Sequence, residues 1–196
     1  GGFTGNTNIV VDDGPWSVAL GDLNCDGNLD LAVANFNAGT VSIRLGNGAG
    51  NFSGTTEVPV LAGTNSIVLG DLNHDGKLDL VTVDVYSYAV SIRFGNGNGN
   101  FSGSTYLSTG YNPYTAALGD VNNDGHLDIA LVNSGENNVF VWPGDGDGNF
   151  GDPDTVAIGS GAQHLVLADF NGDGNLDITT TNNEDNSVSI RLGDGT

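Results

Sequence analysis

Positive charge is the scarcest property of this sequence. Only 4 of the 196 residues are lysine or arginine, against 24 aspartate and glutamate residues, and the formal net charge at pH 7 is −20. Proteins that bind nucleic acid neutralise phosphates with clustered basic side chains, so this balance argues against a nucleic acid partner. Methionine is absent, and the single cysteine, Cys25, leaves no internal disulfide to be formed.

Long apolar segments and helical patterns are also missing. No run approaches the roughly 18 apolar residues that a membrane helix needs, so the sequence predicts no membrane span. No stretch carries an apolar stripe of helical period with capping residues. Glycine, with 32 residues, instead separates short runs that are rich in valine, isoleucine and leucine. This composition is typical of short β-strands joined by turns.

The chain consists of four copies of one 49-residue unit. An acidic stretch, GDLNCDGNLD in the first copy, recurs as GDLNHDGKLD, GDVNNDGHLD and ADFNGDGNLD at a constant spacing of 49 residues. A unit of this size cannot bury its own apolar face and must pack on its neighbours. We therefore expect a single domain over residues 1–196, built from the repeats 1–49, 50–98, 99–147 and 148–196.

Each copy contains four short apolar runs, which predict a small four-stranded antiparallel sheet, the blade of an all-β propeller. The residues 1–5 match the beginning of a fourth strand at 50–54, whereas the last residues match a third strand. The N-terminal strand is therefore expected to complete the last blade, or a blade of a neighbouring chain. The predicted fold is a closed four-bladed ring or half of an eight-bladed dimer.

Three features together resemble the FG-GAP/VCBS repeats of integrin-like calcium-binding β-propellers. They are the GD[LVF]NxDGxLD[LI] loop with an apolar strand after it, a strand of the SIRLGNG type and a GxGxF turn. The resemblance extends over all four copies. It implies a propeller fold and calcium binding, and it implies little about activity.

The acidic loops themselves also predict calcium sites. Loop positions 1, 3, 5 and 9 carry aspartate or asparagine, position 7 can offer a backbone carbonyl, and a glycine at position 6 permits the turn that closes the loop. We expect four Ca²⁺ ions, one per repeat. The predicted ligands are Asp22, Asn24, Asp26, Asn28 (carbonyl) and Asp30; Asp71, Asn73, Asp75, Lys77 (carbonyl) and Asp79; Asp120, Asn122, Asp124, His126 (carbonyl) and Asp128; and Asp169, Asn171, Asp173, Asn175 (carbonyl) and Asp177.

Other metal sites fit these loops less well. An EF-hand needs a glutamate at position 12 and helices on both sides, but that position holds Val33, Thr82, Leu131 or Thr180 and the flanks are predicted strands. Magnesium favours strict six-coordination with retained waters. Zinc would favour cysteine and histidine, and the histidines recur at no common ligand position.

Residues that differ between the copies are the candidates for ligand binding. Trp16, Tyr114 and His164 lie just before the first strand of their copies, on the loops opposite the predicted metal sites. Trp142 replaces an arginine that the other three copies share on the third strand. Aromatic rings beside amides suit sugars, which stack on rings and hydrogen-bond at their edges. Tyrosines near the same loops, at positions 86, 88 and 111, could extend this surface.

The favoured function is a calcium-binding module, extracellular or at the cell surface, that serves adhesion or binds a glycan or protein. The alternative is an assembly protein whose open blade ends join between chains into rings or filaments by strand exchange. A carbohydrate-active enzyme has less support because no nucleophile and histidine pair recurs, so we predict that the chain is not an enzyme.

Overall fold

The computed structural model describes residue 2 and residues 8–196, which form an all-β structure without a helix in this part of the chain. Successive strands pair antiparallel, and each sheet follows chain order. The first sheet contains β1 (Pro15–Gly21), β2 (Asp30–Asn35), β3 (Thr40–Gly46) and β4 (Phe52–Pro59); the second contains β5 (Thr64–Gly70), β6 (Asp79–Asp84), β7 (Ala89–Gly95) and β8 (Phe101–Ser108); the third contains β9 (Pro113–Gly119), β10 (Asp128–Asn133), β11 (Asn138–Trp142) and β12 (Asp154–Ala157); and the fourth contains β13 (Ala162–Ala168), β14 (Asp177–Asn182) and β15 (Ser187–Arg191).

The core lies between the sheets rather than within any one of them. Ile43 of the first sheet packs with Ile67 and Leu80 of the second. Ile92 of the second packs with Ile129 of the third. A third buried cluster of this kind joins the third sheet to the fourth. The second strands of the two inner sheets, β6 and β10, are buried throughout because neighbouring sheets cover both their faces, and this explains their largely apolar sequence. The four sheets therefore have the face-to-face packing of propeller blades.

In the second and fourth sheets, an arginine shared among the repeats also joins the third strand to the outer strand of the preceding sheet. Arg93 Nε donates to the carbonyl of Pro59 at 3.1 Å, and Arg191 Nε donates to the carbonyl of Ala157 at 2.8 Å. Arg44 Nε makes the same bond to the carbonyl of Val10 at 2.9 Å. The chain at Val10 thus lies where the outer strand of a preceding blade would end.

The first and last sheets differ from the inner ones because one face of each is open. Contacts between first strands join β1 to β5, β5 to β9 and β9 to β13, whereas β1 and β13 do not pack together in this way. Val18 is 60% exposed although its equivalent Ile67 is 5% exposed, and Ile190 is 51% exposed although Ile92 is fully buried. Over residues 8–196 the blades stand in series without closing, so the closed four-bladed ring stays a prediction. The predicted N-terminal strand falls on residues 1–5, which lie outside the described residues except for Gly2.

Candidate functional site

The antiparallel topology separates two kinds of loop onto opposite edges of the sheets. The acidic loops connect the first strand of each sheet to the second, so they lie at one edge, which we call the acidic rim (residues 22–29, 71–78, 120–127 and 169–176). The turns between the second and third strands lie at the other edge, together with the beginnings of the first strands. Aromatic side chains gather there, four of them exposed and Phe36 half-buried, and we call this edge the aromatic rim (Trp16, Phe36, Tyr86, Tyr88 and Tyr111).

Each acidic loop is folded around its own side-chain oxygens. In the first loop the amide of Asp26 donates to Asp22 Oδ1 at 3.1 Å and to Asn24 Oδ1 at 3.0 Å. The amides of Gly27 and Asn28 donate to Asp22 Oδ2 and Asp26 Oδ1, each at 2.8 Å. Gly27 has φ of 85°, a conformation in which a side chain would be strained. The same backbone bonds recur in the other loops, so positions 1, 3 and 5 are brought together in all copies.

The aspartate at position 9 has a role that the sequence did not reveal. Asp30 is fully buried, and its Oδ2 and Oδ1 accept hydrogen bonds from the amides of Leu23 at 2.8 Å and Gly46 at 2.7 Å. The equivalent residues, Asp79, Asp128 and Asp177, hold the corresponding two amides at 2.8–2.9 Å. This carboxylate therefore fastens the acidic loop to the end of the third strand whether or not it also binds a cation.

The pKa values of two position-9 carboxylates, Asp79 and Asp128, are affected by the other acids of their loops. Burial raises the pKa of Asp79 to about 6, and the charges of Asp75 and Asp71 act in the same direction, against the amides of Gly95 and Leu72. Burial likewise raises the pKa of Asp128, with Asp124 and Asp120 contributing. In contrast, a hydrogen bond from the amide of Asn28 is the main reason why the pKa of Asp26 is lowered. The acids of one loop are thus close enough to repel one another. A bound cation would reduce this repulsion.

The donor set suits a hard cation that prefers oxygen. The predicted ligands offer carboxylate, amide and carbonyl oxygens, and those of Asp22 and Asn24 converge on one amide. Among the described residues, however, no three carboxylate, imidazole or thiol side chains are grouped so that they could hold a metal ion. In the first loop, both carboxylate oxygens of Asp30 accept hydrogen bonds from the amides of Leu23 and Gly46. Calcium ligation by these residues stays a prediction.

The second acidic loop differs from the others in one contact. Lys77 Nζ lies 3.0 Å from Asp75 Oδ2, where the first, third and fourth loops place an asparagine amide. Because the ammonium group is itself a cation, it competes with a metal ion for this carboxylate. We expect the second loop to bind cations less tightly than the others.

The aromatic rim brings together rings from three repeats. The ring of Phe36 lies between those of Trp16 and Tyr86, with centroid distances of 5.2 and 5.1 Å. Tyr88 and Tyr111 form a second pair at 5.6 Å. Trp16 is 64% exposed and Tyr86 68% exposed. Phe36 was missed in the sequence because it lies in a turn, although it is the only aromatic residue at its position among the copies.

Three of the four predicted ligand residues line one groove on this side of the molecule. Trp16, Tyr114 and His164 lie along it with Asn65 between them. Tyr114 and His164 are in edge-to-face contact at 5.9 Å. A β-bulge between Pro15 and Ser17 leaves Trp16 unpaired and turns it out of the regular strand. The structure therefore presents these side chains side by side although they come from three different repeats.

Trp142 does not belong to this surface. It is only 2% exposed and packs edge-on against Phe140, with a centroid distance of 5.5 Å, inside the core between the second and third sheets. This corrects its assignment as a ligand-binding residue. A tryptophan at a position where the other copies share an arginine suggests a specific function in the sequence, but here it fills apolar space.

Three overlapping segments, residues 26–82, 71–131 and 120–180, match the family model of the FG-GAP-like repeat. The chain belongs to the FG-GAP-like repeat family. No curated protein matches this FG-GAP repeat chain. No described helix is long and apolar enough to cross a membrane.

Solved structures share the fold at low sequence identity. A lectin from Agrocybe aegerita, described as recognising non-reducing terminal N-acetylglucosamine, is 21% identical with a TM-score of 0.62, over 91% of this chain and 49% of the lectin. BBS1N, solved in complex with ARL6DN, is 12% identical with a TM-score of 0.64, over 92% of this chain and 58% of its own. An auxiliary nutrient binding protein from Bacteroides ovatus is 11% identical with a TM-score of 0.60, over 92% and 45% of the two chains. The FG-GAP repeat chain spans about half the length of these structures.

Proposed function

We propose that this FG-GAP repeat chain is a calcium-stabilised propeller module that works outside the cell, in adhesion or in binding a glycan. The observation that carries the proposal is the separation of two surfaces onto opposite edges of the sheets: oxygen-rich loops at one edge and an exposed aromatic surface at the other. Calcium would fix the acidic loops and hence the spacing of the sheets. The aromatic rim and its groove would then present a rigid surface to the ligand.

Calcium binding is supported by the composition and folding of the acidic loops. Side-chain oxygens of positions 1 and 3 already accept hydrogen bonds from one backbone amide. Burial is the main reason why the pKa of Asp79 is raised, and the additional repulsion from Asp75 and Asp71 would be reduced by a bound cation. Calcium accepts six to eight oxygen ligands in flexible geometry. The negative charge of the loops further favours the binding of a divalent cation. In this role calcium supplies positive charge that cross-links loop oxygens, while Asp30 and its equivalents keep each loop attached to the third strand.

Ligand binding is supported by the exposure of the aromatic rim. Isolated apolar residues are common on protein surfaces, but a contiguous group of rings beside polar side chains marks an interaction surface. Trp16 and Tyr86 offer flat faces on which a sugar ring can stack, and Asn65 in the groove offers an amide for its hydroxyls. Because a lectin has the same fold, glycans ending in N-acetylglucosamine are the first ligands to examine.

The two parts of the proposal are tested separately. Calorimetric titration with Ca²⁺ after chelator treatment should show binding at the acidic loops and a higher melting temperature. A glycan panel, followed by calorimetry on the best glycan, should show that Trp16→Ala and Tyr86→Ala weaken binding by about tenfold or more, the loss of one to two stacking contacts. Tyr106→Ala, which removes an exposed ring on the outer strand β8, is the matched control. Equal affinities in all variants would refute the aromatic rim as the binding surface.

A second candidate function is assembly, and the open end faces favour it. Val18, Leu20 and Leu29 are 57–60% exposed on the first sheet, at positions that the preceding blade covers in the inner sheets. On the fourth sheet Val188 and Ile190 are similarly open. We propose a second copy of this chain as the occupant, because two copies would make a ring about as long as the structures that share the fold.

Light scattering in calcium distinguishes this assembly from a single module. Assembly would be supported by a dimer in the wild type that becomes a monomer in the Leu20→Glu and Ile190→Glu variants. Tyr86→Glu, on the aromatic rim, should leave the dimer intact. A particle of 20.0 kDa at all concentrations would contradict assembly and leave ligand binding untouched.

A further inference from the structure

Neighbouring acidic loops touch through a recurring pair of side chains. The fourth residue of one loop meets the seventh residue of the next loop, and we call each such contact a loop junction. In the junction of the third and fourth sheets, Asn123 Nδ2 donates to Asn175 Oδ1 at 2.7 Å. In the junction of the first and second sheets, Cys25 and Lys77 lie beside the same turn glycine, Gly97. The geometry of the repeat thus brings two variable side chains together at every junction.

The junction of the second and third sheets is the one that pairs two imidazoles. The ring centroids of His74 and His126 are 5.0 Å apart, with an angle of 67° between the ring planes. Both Nδ1 atoms are close to the turn glycine, Gly146: a Cβ placed on that residue would lie 2.3 Å from His126 Nδ1 and 2.8 Å from His74 Nδ1. Gly146 has φ of 75°, so the repeat requires glycine here for its backbone as well as for space.

The ring nitrogens are incompletely satisfied by the protein. His74 Nδ1 lies 3.3 Å from the carbonyl oxygen of Gly146. His126 Nδ1 is buried and has no hydrogen-bond partner among the described residues. A buried ring nitrogen without a partner has lost the hydrogen bond that it would make to water. A metal ion that accepts the nitrogen lone pair would compensate for this loss. His74 is exposed, which leaves the junction open to a small ion from solvent.

We propose that His74 and His126 form a second kind of metal site, for a divalent cation that prefers imidazole nitrogen, such as Zn²⁺. Two nitrogens bound to one tetrahedral zinc ion at about 2.0–2.1 Å are about 3.3 Å apart, a separation that modest ring rotations can produce from the present contact. The carbonyl of Gly146 and water would complete the coordination. The surrounding loop carboxylates raise the local concentration of cations.

This site differs in chemistry from the calcium loops. Calcium prefers oxygen ligands, whereas zinc, copper and nickel accept imidazole readily. A cation held by His74 of the second sheet and His126 of the third would link two blades directly. The inference does not depend on whether the acidic loops bind calcium.

The test is a calorimetric titration of the 196-residue chain with Zn²⁺ in excess Ca²⁺, which blocks the carboxylates. His74→Asn and His126→Asn are well matched variants, because asparagine occupies the same loop positions in other copies as Asn123 and Asn175. His164→Asn, in the groove on the opposite edge, is the control. We expect one zinc ion per chain in the wild type and the control, and a loss of affinity of about tenfold or more in either junction variant.

Proton NMR of the histidine rings gives an answer that does not depend on the variants. One equivalent of Zn²⁺ should shift the ring resonances of His74 and His126 and leave those of His164 in place. Equal zinc affinity in the wild type and the doubly substituted His74→Asn/His126→Asn chain would overturn the proposal. Ring resonances of His74 and His126 that do not move at one equivalent would overturn it as well.

Discussion

Replacing one buried acid, Asp84, should both stabilise the protein at neutral pH and remove part of its pH dependence. Asp84 ends β6 and is fully buried, where it accepts hydrogen bonds from the hydroxyls of Thr64, Thr82 and Ser91. The other copies hold asparagine at this position. Asp84→Asn should keep these contacts, because in the first sheet the equivalent Asn35 Nδ2 donates to Ser42 Oγ at 2.9 Å.

The magnitude follows from the ionisation of the carboxyl group. Burial raises the pKa of Asp84 from 3.8 to about 6, against the opposing effect of its hydroxyl donors and of Arg93. Between about pH 4 and pH 6 the folded protein keeps this proton while the unfolded chain loses it, so the free energy of unfolding falls as the pH rises. At about 1.36 kcal/mol per pKa unit, the cost reaches about 3 kcal/mol above pH 6 and disappears below pH 4.

The assay is urea unfolding of the wild type and Asp84→Asn in matched buffers from pH 4 to pH 8, followed by tryptophan fluorescence. Other acids titrate in both proteins, so the difference between the two isolates Asp84. We expect nearly equal stabilities at pH 4 and an advantage of about 3 kcal/mol for Asp84→Asn at pH 7. A difference that does not change between pH 4 and pH 7 would refute the reasoning, since the substitution would then act through packing alone.

Four further substitutions separate the roles of residues in the acidic loops and their supports. Asp124→Ala should lower the melting temperature in calcium and hardly change it in chelator. Asp128→Ala should destabilise the protein in both conditions, by about 1–3 kcal/mol for each buried amide that it leaves unpaired. Similar losses of stability for both variants in chelator would contradict this distinction. Lys77→Asn should raise the calcium affinity of the second loop in calorimetry by removing the competing ammonium group, and an unchanged or lower affinity would count against it. Gly95→Ala should cost at least about 2 kcal/mol in urea unfolding, because the new Cβ would lie 2.2 Å from the carbonyl oxygen of Leu78, and a wild-type midpoint would show that the strand end can move.

Several features of the fold could be predicted from the sequence because they depend on local chemistry. The 49-residue period, the short apolar runs and the glycine turns indicate four similar sheets, and the structure has them. The folding of each acidic loop is similarly local, since Asp22, Asn24 and Asp26 accept amides only two to five residues away. The prediction that one repeat cannot bury its own apolar face is confirmed by a core that lies between sheets.

Functional surfaces could be predicted less well because they join residues from different repeats. Trp16, Phe36 and Tyr86 form one aromatic group only when the first two sheets stack, and the same stacking brings His74 to His126. Trp142 illustrates the opposite error, because its burial depends on how the second and third sheets meet.

The sequence by itself determined the repeat, the strands and the oxygen-rich loops. The repeat is visible as a sequence period, and the strands and loops depend on residues that are close together in the chain. Only the tertiary structure decided what Asp30 does, because its two amide donors come from Leu23 and from Gly46, 16 residues along the chain. It also decided which apolar residues stay exposed. Val18 and Ile67 occupy the same position in their repeats, and they differ in exposure because a preceding sheet covers one and not the other.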